Sequence, residues 1–281
     1  MGMSIALGND VKSEHWIVSL GRLGYAAKGI VYITVGFLAV QAALGLGGGT
    51  TDVRGALRAI RHAPLGTIGL LIISAGLLGY AAWRIVSAIT DAERRGDDPS
   101  SIALRLGEAF RGLVYGGLGA WALKYLLDDR TERSDHTREL TDRALDLPAG
   151  RWIVFFAGLG VIGYALYQLY RAARKKFLKR LDLSGAGERT RAWIEHLGGF
   201  GVAARAVVFG IIGGLIARAG WDYRASEAGG IEKSLDVIAN YALIFAIVAA
   251  GLIAFGILQI ATARYRRMRF PSAARASTTV R

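Results

Sequence analysis

The sequence predicts an all-α polytopic membrane protein with six transmembrane helices, arranged as three parallel helical-hairpin repeats in a pseudo-threefold bundle. Of the 281 residues, 53% are hydrophobic and 20% are charged, and the charged residues cluster between long apolar runs. Soluble domains have about 25% charged residues. The apolar runs lack the period-2 alternation of a transmembrane barrel. One pattern of residues recurs three times, which indicates an internal repeat.

Six apolar runs are long enough to cross a bilayer, which takes about 20 residues as a helix. Backbone polar groups must find partners within the segment in lipid, so each run is predicted to be helical. The predicted spans are residues 24–46, 65–89, 112–127, 152–170, 203–219 and 238–262.

Each repeat places a cation, an aromatic residue and a glycine four residues apart in its first helix. These are Lys28, Arg111 and Arg205, then Tyr32, Tyr115 and Phe209, then Gly36, Gly119 and Gly213. The second helices share the motifs GLLGY, GVIGY and GLIAF, which include Tyr80 and Tyr164 and are followed by Arg84, Gln168 and Gln259. The predicted domains are an N-terminal cytoplasmic segment (1–18), repeats at 19–97, 98–183 and 184–269, and a basic tail (270–281).

The distribution of lysine and arginine predicts cytoplasmic termini, because cytoplasmic loops of membrane proteins are rich in these residues. Residues 171–205 include nine basic and three acidic residues, and residues 264–281 include six basic and none acidic. The first outer loop departs from this rule, since its three arginines outnumber Asp52. Each repeat has two spans, so all three enter the membrane the same way and are related by an axis along its normal.

Three segments carry a resemblance to a known family: GRLGYAAKGIVYITVGFLA, DVRGALRAIRHAPLG and GLLGYAAWRI. They resemble the domain of unknown function 1206 family, and the similarity extends from about Ser19 to Arg269. The third repeat departs, because it lacks the AP-G element and has phenylalanine in place of both tyrosines. The resemblance implies a bacterial inner-membrane protein with three such repeats. It implies no activity.

The three repeated cations lie about one helical turn inside the predicted cytoplasmic boundary, where a charge is costly unless it is paired or reaches the headgroups. Two interpretations stay open. In the first, the three cations are interfacial anchors. In the second, they point to the pseudo-threefold axis and bind an anion, a lipid headgroup or an acidic partner segment. No acidic residue repeats in the same register, so an internal salt bridge for each cation is not expected.

The remaining polar layers have a structural and a functional interpretation. Arg84, Gln168 and Gln259 would form hydrogen bonds between helices. The tyrosine hydroxyls need partners in a dry interior, so Tyr–Arg or Tyr–Gln bonds between repeats are expected, and a lined pocket is the alternative. The spacings Gly112–Gly116 and Gly210–Gly214, and the pairs Gly76 with Gly79 and Gly160 with Gly163, predict close helix packing within the chain.

Three segments outside the spans predict short interfacial helices. TDVRGALRAIRHAP has Val53, Ala56, Leu57 and Ile60 on one face and Arg54, Arg58 and Arg61 on the other. Thr51 or Asp52 would cap it, and it would lie flat at the outer interface. TRELTDRALDLPAG and GGIEKSLDVIA are its counterparts in the other two repeats. The three segments are interpreted either as caps over the bundle or as a docking surface or gate. The basic runs 171–180 and 264–270 suit anionic lipid.

Several activities are excluded by the residues. There is no cysteine, and the four histidines lie outside or at the ends of spans, so no haem, metal or other cofactor is expected. No nucleotide-binding or hydrolase motif occurs, and no acidic residue lies deep in a predicted span. The N-terminus does not resemble a signal peptide. Membrane topology, not nucleic-acid binding, accounts for the net charge of +13.

The leading hypothesis is a non-enzymatic scaffold or accessory subunit of the bacterial inner membrane. It would bind anionic lipid headgroups or a membrane-protein partner, and it could form a homo-oligomer. The alternative is a channel or transporter for an anionic or small neutral solute. An enzyme acting on a lipid has the least support. A channel requires a continuous polar path along the axis, whereas a scaffold is expected to have a closed apolar core.

Overall fold

The computed structural model describes residues 3–46, 52–91, 98–128 and 136–266, which form α-helices and no β-strand. The predicted tail (270–281) lies outside these residues. The helices are α1 (Met3–Ala43), α2 (Val53–His62), α3 (Gly66–Ile89), α4 (Pro99–Leu127), α5 (His136–Leu145), α6 (Gly150–Ala173), α7 (Glu188–Trp221), α8 (Ile231–Ala239) and α9 (Ala242–Tyr265). Short 3₁₀ turns follow α6 and α7, at Lys176–Arg180 and Ala225–Glu227.

Five helical segments of the described chain are long and apolar enough to cross a membrane. They are Val18–Ala43, Gly66–Ile89, Gly150–Ala173, Glu188–Trp221 and Ala242–Tyr265. Helix α4 is 29 residues long but is not among them. Its polar residues, which include Glu108 and Arg111, reduce its hydropathy. The prediction of an all-helical chain with several helices that are long and apolar enough to cross a membrane is confirmed.

The helix bounds differ from the predicted spans where polar residues extend a helix beyond the apolar run. α4 and α7 begin at Pro99 and Glu188, well before the predicted spans 112–127 and 203–219. The predicted start of the last span at residue 238 is wrong. Ile238 belongs to α8, which ends at Ala239, and α9 begins at Ala242. Hydropathy detects the apolar part of a helix and not its ends.

Two helices start with an aspartate cap of the kind that satisfies free backbone N–H groups. The Asp52 carboxylate accepts a hydrogen bond from the Gly55 amide (2.8 Å) at the start of α2, which confirms the predicted cap. At the start of α4, Asp98 accepts one from the Ser101 amide (3.2 Å), and Pro99 occupies the first turn. A fixed proline φ suits that first turn.

A turn with the same geometry precedes the second long helix of the first and second repeats. Leu65 and Ala149 both adopt the left-handed conformation, with φ of 58° and 61°. The following residue is glycine in both cases, because a Cβ at Gly66 or Gly150 would collide with backbone carbonyls of the preceding short helix. This turn is the structural form of the AP-G element. The third repeat enters α9 through Tyr241 instead.

The six long helices pack in a spatial order that differs from their order in sequence. Helix α1 packs on α3 and α9, α3 also packs on α4, and α7 packs on both α9 and α6. The second long helix of each repeat therefore contacts the first helix of the next, with α9 contacting α1. Helices α4 and α6 share no comparable interface, although they belong to the same repeat.

The outward faces of the bundle are apolar, as lipid-facing surfaces require. Phe37, Ile72, Phe156, Leu166 and Ile247 are each about half exposed or more, and all lie on the candidate spans. Their exposure would be unusual on a soluble protein, where contiguous apolar patches are small. The outside of the bundle is therefore apolar, while many of its charged side chains face inward.

The short helices α2, α5 and α8 pack against long helices of their own repeats, at one end of the bundle. We call this the loop-helix end. The opposite end includes the start of α4, the turn Lys176–Arg180 and Arg266, and we call it the terminal end. The predicted helices in the three loop segments are confirmed.

Candidate functional site

A cavity of about 1730 Å³ occupies the centre of the bundle and is lined by side chains from all six long helices. It is larger than the roughly 300–1,000 Å³ of most small-molecule sites. All three repeated cations line it, together with all members of the predicted second polar layer and aromatic layer. The predicted site residues are thus brought together around one space, although they come from different repeats.

Lys28 lies among aromatic rings at the wall of this cavity and is only 7% exposed. Its Nζ atom is 4.6 Å from the ring centre of Tyr115, 5.6 Å from Tyr80, 5.7 Å from Phe255 and 6.0 Å from Tyr32. Cation–π attraction operates at such distances. The Lys28 side chain forms no hydrogen bond or ion pair with the described part of the chain. It is a buried basic side chain that faces the cavity and has no ion-pair partner among the described residues.

Arg205, the cation of the third repeat, shares two of these rings. Its guanidinium carbon lies 5.8 Å from the centre of the Tyr32 ring and 4.9 Å from that of Phe255. It is also 4.3 Å from the Phe209 ring. Its Nε donates a hydrogen bond to the Tyr32 hydroxyl (3.2 Å), so a Tyr–Arg bond joins the first and third repeats. Among the described residues, no carboxylate pairs with Arg205.

The second repeat differs, because its cation has a buried acidic partner. Arg111 is 3.1 Å from a carboxylate oxygen of Glu108, and Glu108 also pairs with Arg84. Glu108 is 5% exposed and Arg84 is 4% exposed. Arg84 also donates hydrogen bonds to the hydroxyls of Tyr80 (2.8 Å) and Tyr25 (2.6 Å). Arg111 is thus the one repeated cation with an ion pair among the described residues, which agrees with the expectation that an internal salt bridge does not form for each of the three.

The two glutamines of the second polar layer are buried but differ in their bonding. Gln168 accepts a hydrogen bond from Arg171 (3.1 Å). The Gln259 side chain forms no hydrogen bond with the part of the chain that the structure describes, although the residue is buried, with only 7% exposed. A buried amide without partners is costly. Because Gln259 lines the cavity, it offers a second free polar group to a ligand.

The terminal end of the cavity is closed by side chains from separate segments. Phe177, in the turn after α6, and Leu181 are buried and line this end. Arg266, just after α9, donates a hydrogen bond to Tyr25 and lies over the rings of Tyr25 and Trp83. Arg266 belongs to a run that the sequence assigns to the lipid surface, but its side chain is buried beside the cavity.

The loop-helix end has a different chemistry. Arg54 and Arg58 of α2 lie 5.2 and 5.5 Å from the Trp121 ring, and Arg61 lies 4.7 Å from the Tyr125 ring. The basic face of α2 therefore contacts α4, whereas the sequence places it at the outer interface. Removal from water lowers the pKa of Arg54 from its usual value.

Charge in the cavity lining separates by end. Toward the terminal end, the charged lining residues are all basic: Lys28, Arg84, Arg111, Arg171, Arg205 and Arg266. The acidic lining residues all belong to the loop-helix end, namely Asp52, Glu139, Glu232 and Asp236, and basic residues accompany them there. The terminal half of the cavity therefore favours an anion.

The glycines pack only partly as predicted. A Cβ at Gly76 would lie 2.8 Å from the Ala27 side chain, and one at Gly112 would lie 2.8 Å from Ile85, which confirms close packing there. The prediction is wrong for Gly160 and Gly163, whose added Cβ atoms would meet nothing within 4 Å. In α6 it is Gly158 that contacts α7. Gly160 instead lines the cavity.

Sequence reasoning overlooked three residues of this site: Tyr25, Glu108 and Arg266. Tyr25 and Glu108 both lie three residues before the repeated cation, so their shared position could have identified them. A residue at i−3 on a helix lies on the same face as residue i. Arg266 has no repeat counterpart that would have distinguished it from the other basic residues of its run.

Fold and cavity define a helical protein of the membrane-spanning class, built from three two-helix repeats around a basic interior. Comparison with known families identifies it further. The pattern of the Domain of Unknown Function (DUF1206) matches residues 23–91, 106–175 and 200–266, and the chain belongs to this family. The Bacillus subtilis (strain 168) uncharacterized protein YxxB is 32% identical over 262 residues, which cover 92% of this chain and 94% of that protein. No solved structure matches the chain.

Proposed function

We propose that this protein is a non-enzymatic lipid-binding module of the bacterial inner membrane that holds a phosphate-type anion in its central cavity. The observation that carries this proposal is the Lys28 side chain, which is buried, faces the cavity and forms no hydrogen bond or ion pair with the described chain. An unpaired ammonium is costly to bury. An anionic group beside Lys28 and Arg205 would offset that cost and supply charge-assisted hydrogen bonds.

The proposal includes six spans in a pseudo-threefold bundle, with α4 as the sixth. Two observations support it. All three contacts between successive repeats, α3 with α4, α6 with α7 and α9 with α1, use equivalent helices. All six long helices line one cavity. The lysine and arginine bias supports cytoplasmic termini, which would place the basic half of the cavity toward the inner leaflet.

Passage of a small anion is the second candidate, because the cavity lining extends from the loop-helix end to Phe177 and Leu181 at the terminal end. A channel needs such a path to open at both ends, so Phe177 and Leu181 would have to move apart for an anion to pass. The test is anion flux into liposomes by the wild type and by a variant with Lys28, Arg111 and Arg205 all changed to Met. Equal anion flux in the wild type and in the triple variant would rule out this second candidate function.

Changing Lys28 to Met is expected to weaken binding of phosphatidylglycerol by about 10- to 100-fold, since a hydrogen bond to a charged group contributes roughly 1.5–3 kcal/mol. The ligand-free variant should be at least as stable as the wild type, because an apolar side chain replaces an unpaired buried charge. Native mass spectrometry in detergent gives the affinity, and thermal unfolding gives the stability.

Lys124→Met is the matched control, because Lys124 is exposed on α4 and does not line the cavity. It removes the same charge and should leave binding unchanged. Zwitterionic phosphatidylcholine should bind the wild type and Lys28→Met equally. Unaltered phosphatidylglycerol affinity in Lys28→Met would refute a site at this lysine and favour an anchoring role for it.

A further inference from the structure

We infer that the gap between α4 and α6 is a lateral portal, through which a membrane phospholipid enters with its acyl chains in the gap and its phosphate at Lys28 and Arg205. This inference rests on the proposed anion site and names the source of the anion. The occupant is an anionic phospholipid, as opposed to a soluble phosphate or a second copy of the chain.

The packing of the bundle locates the opening. Each neighbouring pair in the order α4, α3, α1, α9, α7, α6 shares an extensive interface, whereas α4 and α6 do not. The cavity therefore has one side, between α4 and α6, without an extensive helix–helix interface. The first and third repeats keep their two long helices together, so the separation is specific to the second repeat.

Exposure of the lining residues shows the same asymmetry. On the α4 side, Phe110, Leu113 and Val114 line the cavity and yet are 68%, 70% and 45% exposed. On the α6 side, Ala157 and Gly160 line the cavity and are also exposed at the surface of the bundle. The lining residues of α1, α3 and α9 are buried, among them Tyr32, Tyr80, Arg84 and Leu258. The cavity therefore opens sideways, between α4 and α6.

The chemistry of the portal matches an amphiphile. Its edges are largely apolar, with Phe110, Leu113 and Val114 on α4 and Ala157 on α6. Two of its glycines, Gly117 and Gly160, would meet nothing within 4 Å of an added Cβ. Behind it lie Lys28 and Arg205, which share the rings of Tyr32 and Phe255. Acyl chains can pass along apolar edges in contact with membrane hydrocarbon. A headgroup phosphate can then reach cations that are buried away from bulk water.

A soluble anion has a poorer route from the terminal end, next to the basic half of the cavity. Phe177 and Leu181 close that end, and the Asp182 amide donates a hydrogen bond to the Tyr265 carbonyl (2.6 Å), which ties the closing segment to α9. At the other end, the lining residues carry charges of both signs. Between α4 and α6, apolar residues such as Phe110, Leu113 and Ala157 border the route to the cations, and the charged residues that line these two helices there are basic.

The portal can be closed by substitution. Gly160→Trp and Gly117→Trp each add a large side chain where there is open space, so the fold should tolerate them. Gly163→Trp is the matched control, because Gly163 also lies on α6 in open space but does not line the cavity. Native mass spectrometry then compares phosphatidylglycerol with sn-glycerol 3-phosphate, which carries a phosphate without acyl chains.

Both portal variants are expected to lose at least about tenfold in phosphatidylglycerol affinity, equivalent to 1.4 kcal/mol. They should bind glycerol phosphate as the wild type does, and Gly163→Trp should bind both ligands normally. Wild-type phosphatidylglycerol affinity in Gly160→Trp and Gly117→Trp would overturn the portal. The anion site itself would fail separately, if Lys28→Met bound both ligands normally.

A second measurement does not depend on added bulk. The chain has no cysteine, so Leu113→Cys with Ala157→Cys gives two unique thiols, one on each edge of the portal. A bis-maleimide that bridges them before lipid is added should block phosphatidylglycerol uptake, and bridging afterwards should trap the lipid. Free exchange in the bridged protein would refute the portal, as would bridging between two chains, which would assign the gap to a dimer interface.

Discussion

Changing Glu108 to Gln is expected to lower the free energy of unfolding by about 3 kcal/mol, since removing one partner of a buried ion pair leaves an uncompensated charge. Glu108 is the acidic partner of both Arg84 and Arg111. Glutamine keeps the size of the side chain but removes its charge. Arg84 would then keep neutral hydrogen-bond acceptors, among them the hydroxyls of Tyr80 and Tyr25, but no carboxylate from position 108. Helix content during transfer from mild detergent to SDS measures the loss.

Glu139→Gln is the matched control, because Glu139 pairs with Arg143 in an exposed geometry. The two side chains are 45% and 75% exposed, and such pairs contribute at most about 1 kcal/mol. Adding Arg84→Met to Glu108→Gln should recover part of the stability, because the unpaired guanidinium is removed. A Glu108→Gln protein as stable as the Glu139→Gln protein would show that the buried pair is not required for stability.

The sequence predicts the helical class and the shared position of Lys28, Arg111 and Arg205, because both follow from hydropathy and from the repeat. It does not predict that these cations differ in their partners. Glu108 occurs in only one repeat, and the equivalent residues are Tyr25 and Val202. A single carboxylate cannot be found by a search for repeated residues. Within the part of the chain that the structure describes, it forms an ion pair with one of the three cations, and the other two form none.

The separation of α4 from α6 could not be predicted for a related reason. The same GxxGY motif occurs in α3 and α6, and its glycines predict the same packing. In α3, Gly76 and Gly79 contact α1, but in α6 Gly160 and Gly163 face open space. A motif specifies a face that can be packed, whereas the arrangement of all six helices decides what lies against it. A local sequence pattern therefore predicts where a helix forms better than it predicts which helices pack against it.

Changing Gly158 to Leu is expected to destabilise the protein by about 3 kcal/mol, at the upper end for an overpacked core. A Cβ at Gly158 would lie 2.7 Å from both the Ala217 Cα and the Gly213 carbonyl oxygen, so the clash is with the backbone of α7. A Cβ added at Gly220 would meet α6 in the same way, 2.5 Å from the Phe155 backbone nitrogen. Rotamer changes cannot relieve such contacts, so α6 and α7 must separate.

Gly163→Leu tests whether close packing, and not loss of glycine in a helix, causes the effect. Gly163 lies on the same helix with nothing within 4 Å of an added Cβ, so its substitution should change stability by less than about 0.5 kcal/mol. Unfolding of both variants in SDS gives the comparison. Because α6 borders the portal and α7 carries Arg205, Gly158→Leu should also weaken phosphatidylglycerol binding, whereas equal stability of the two variants would contradict the close approach of α6 to α7.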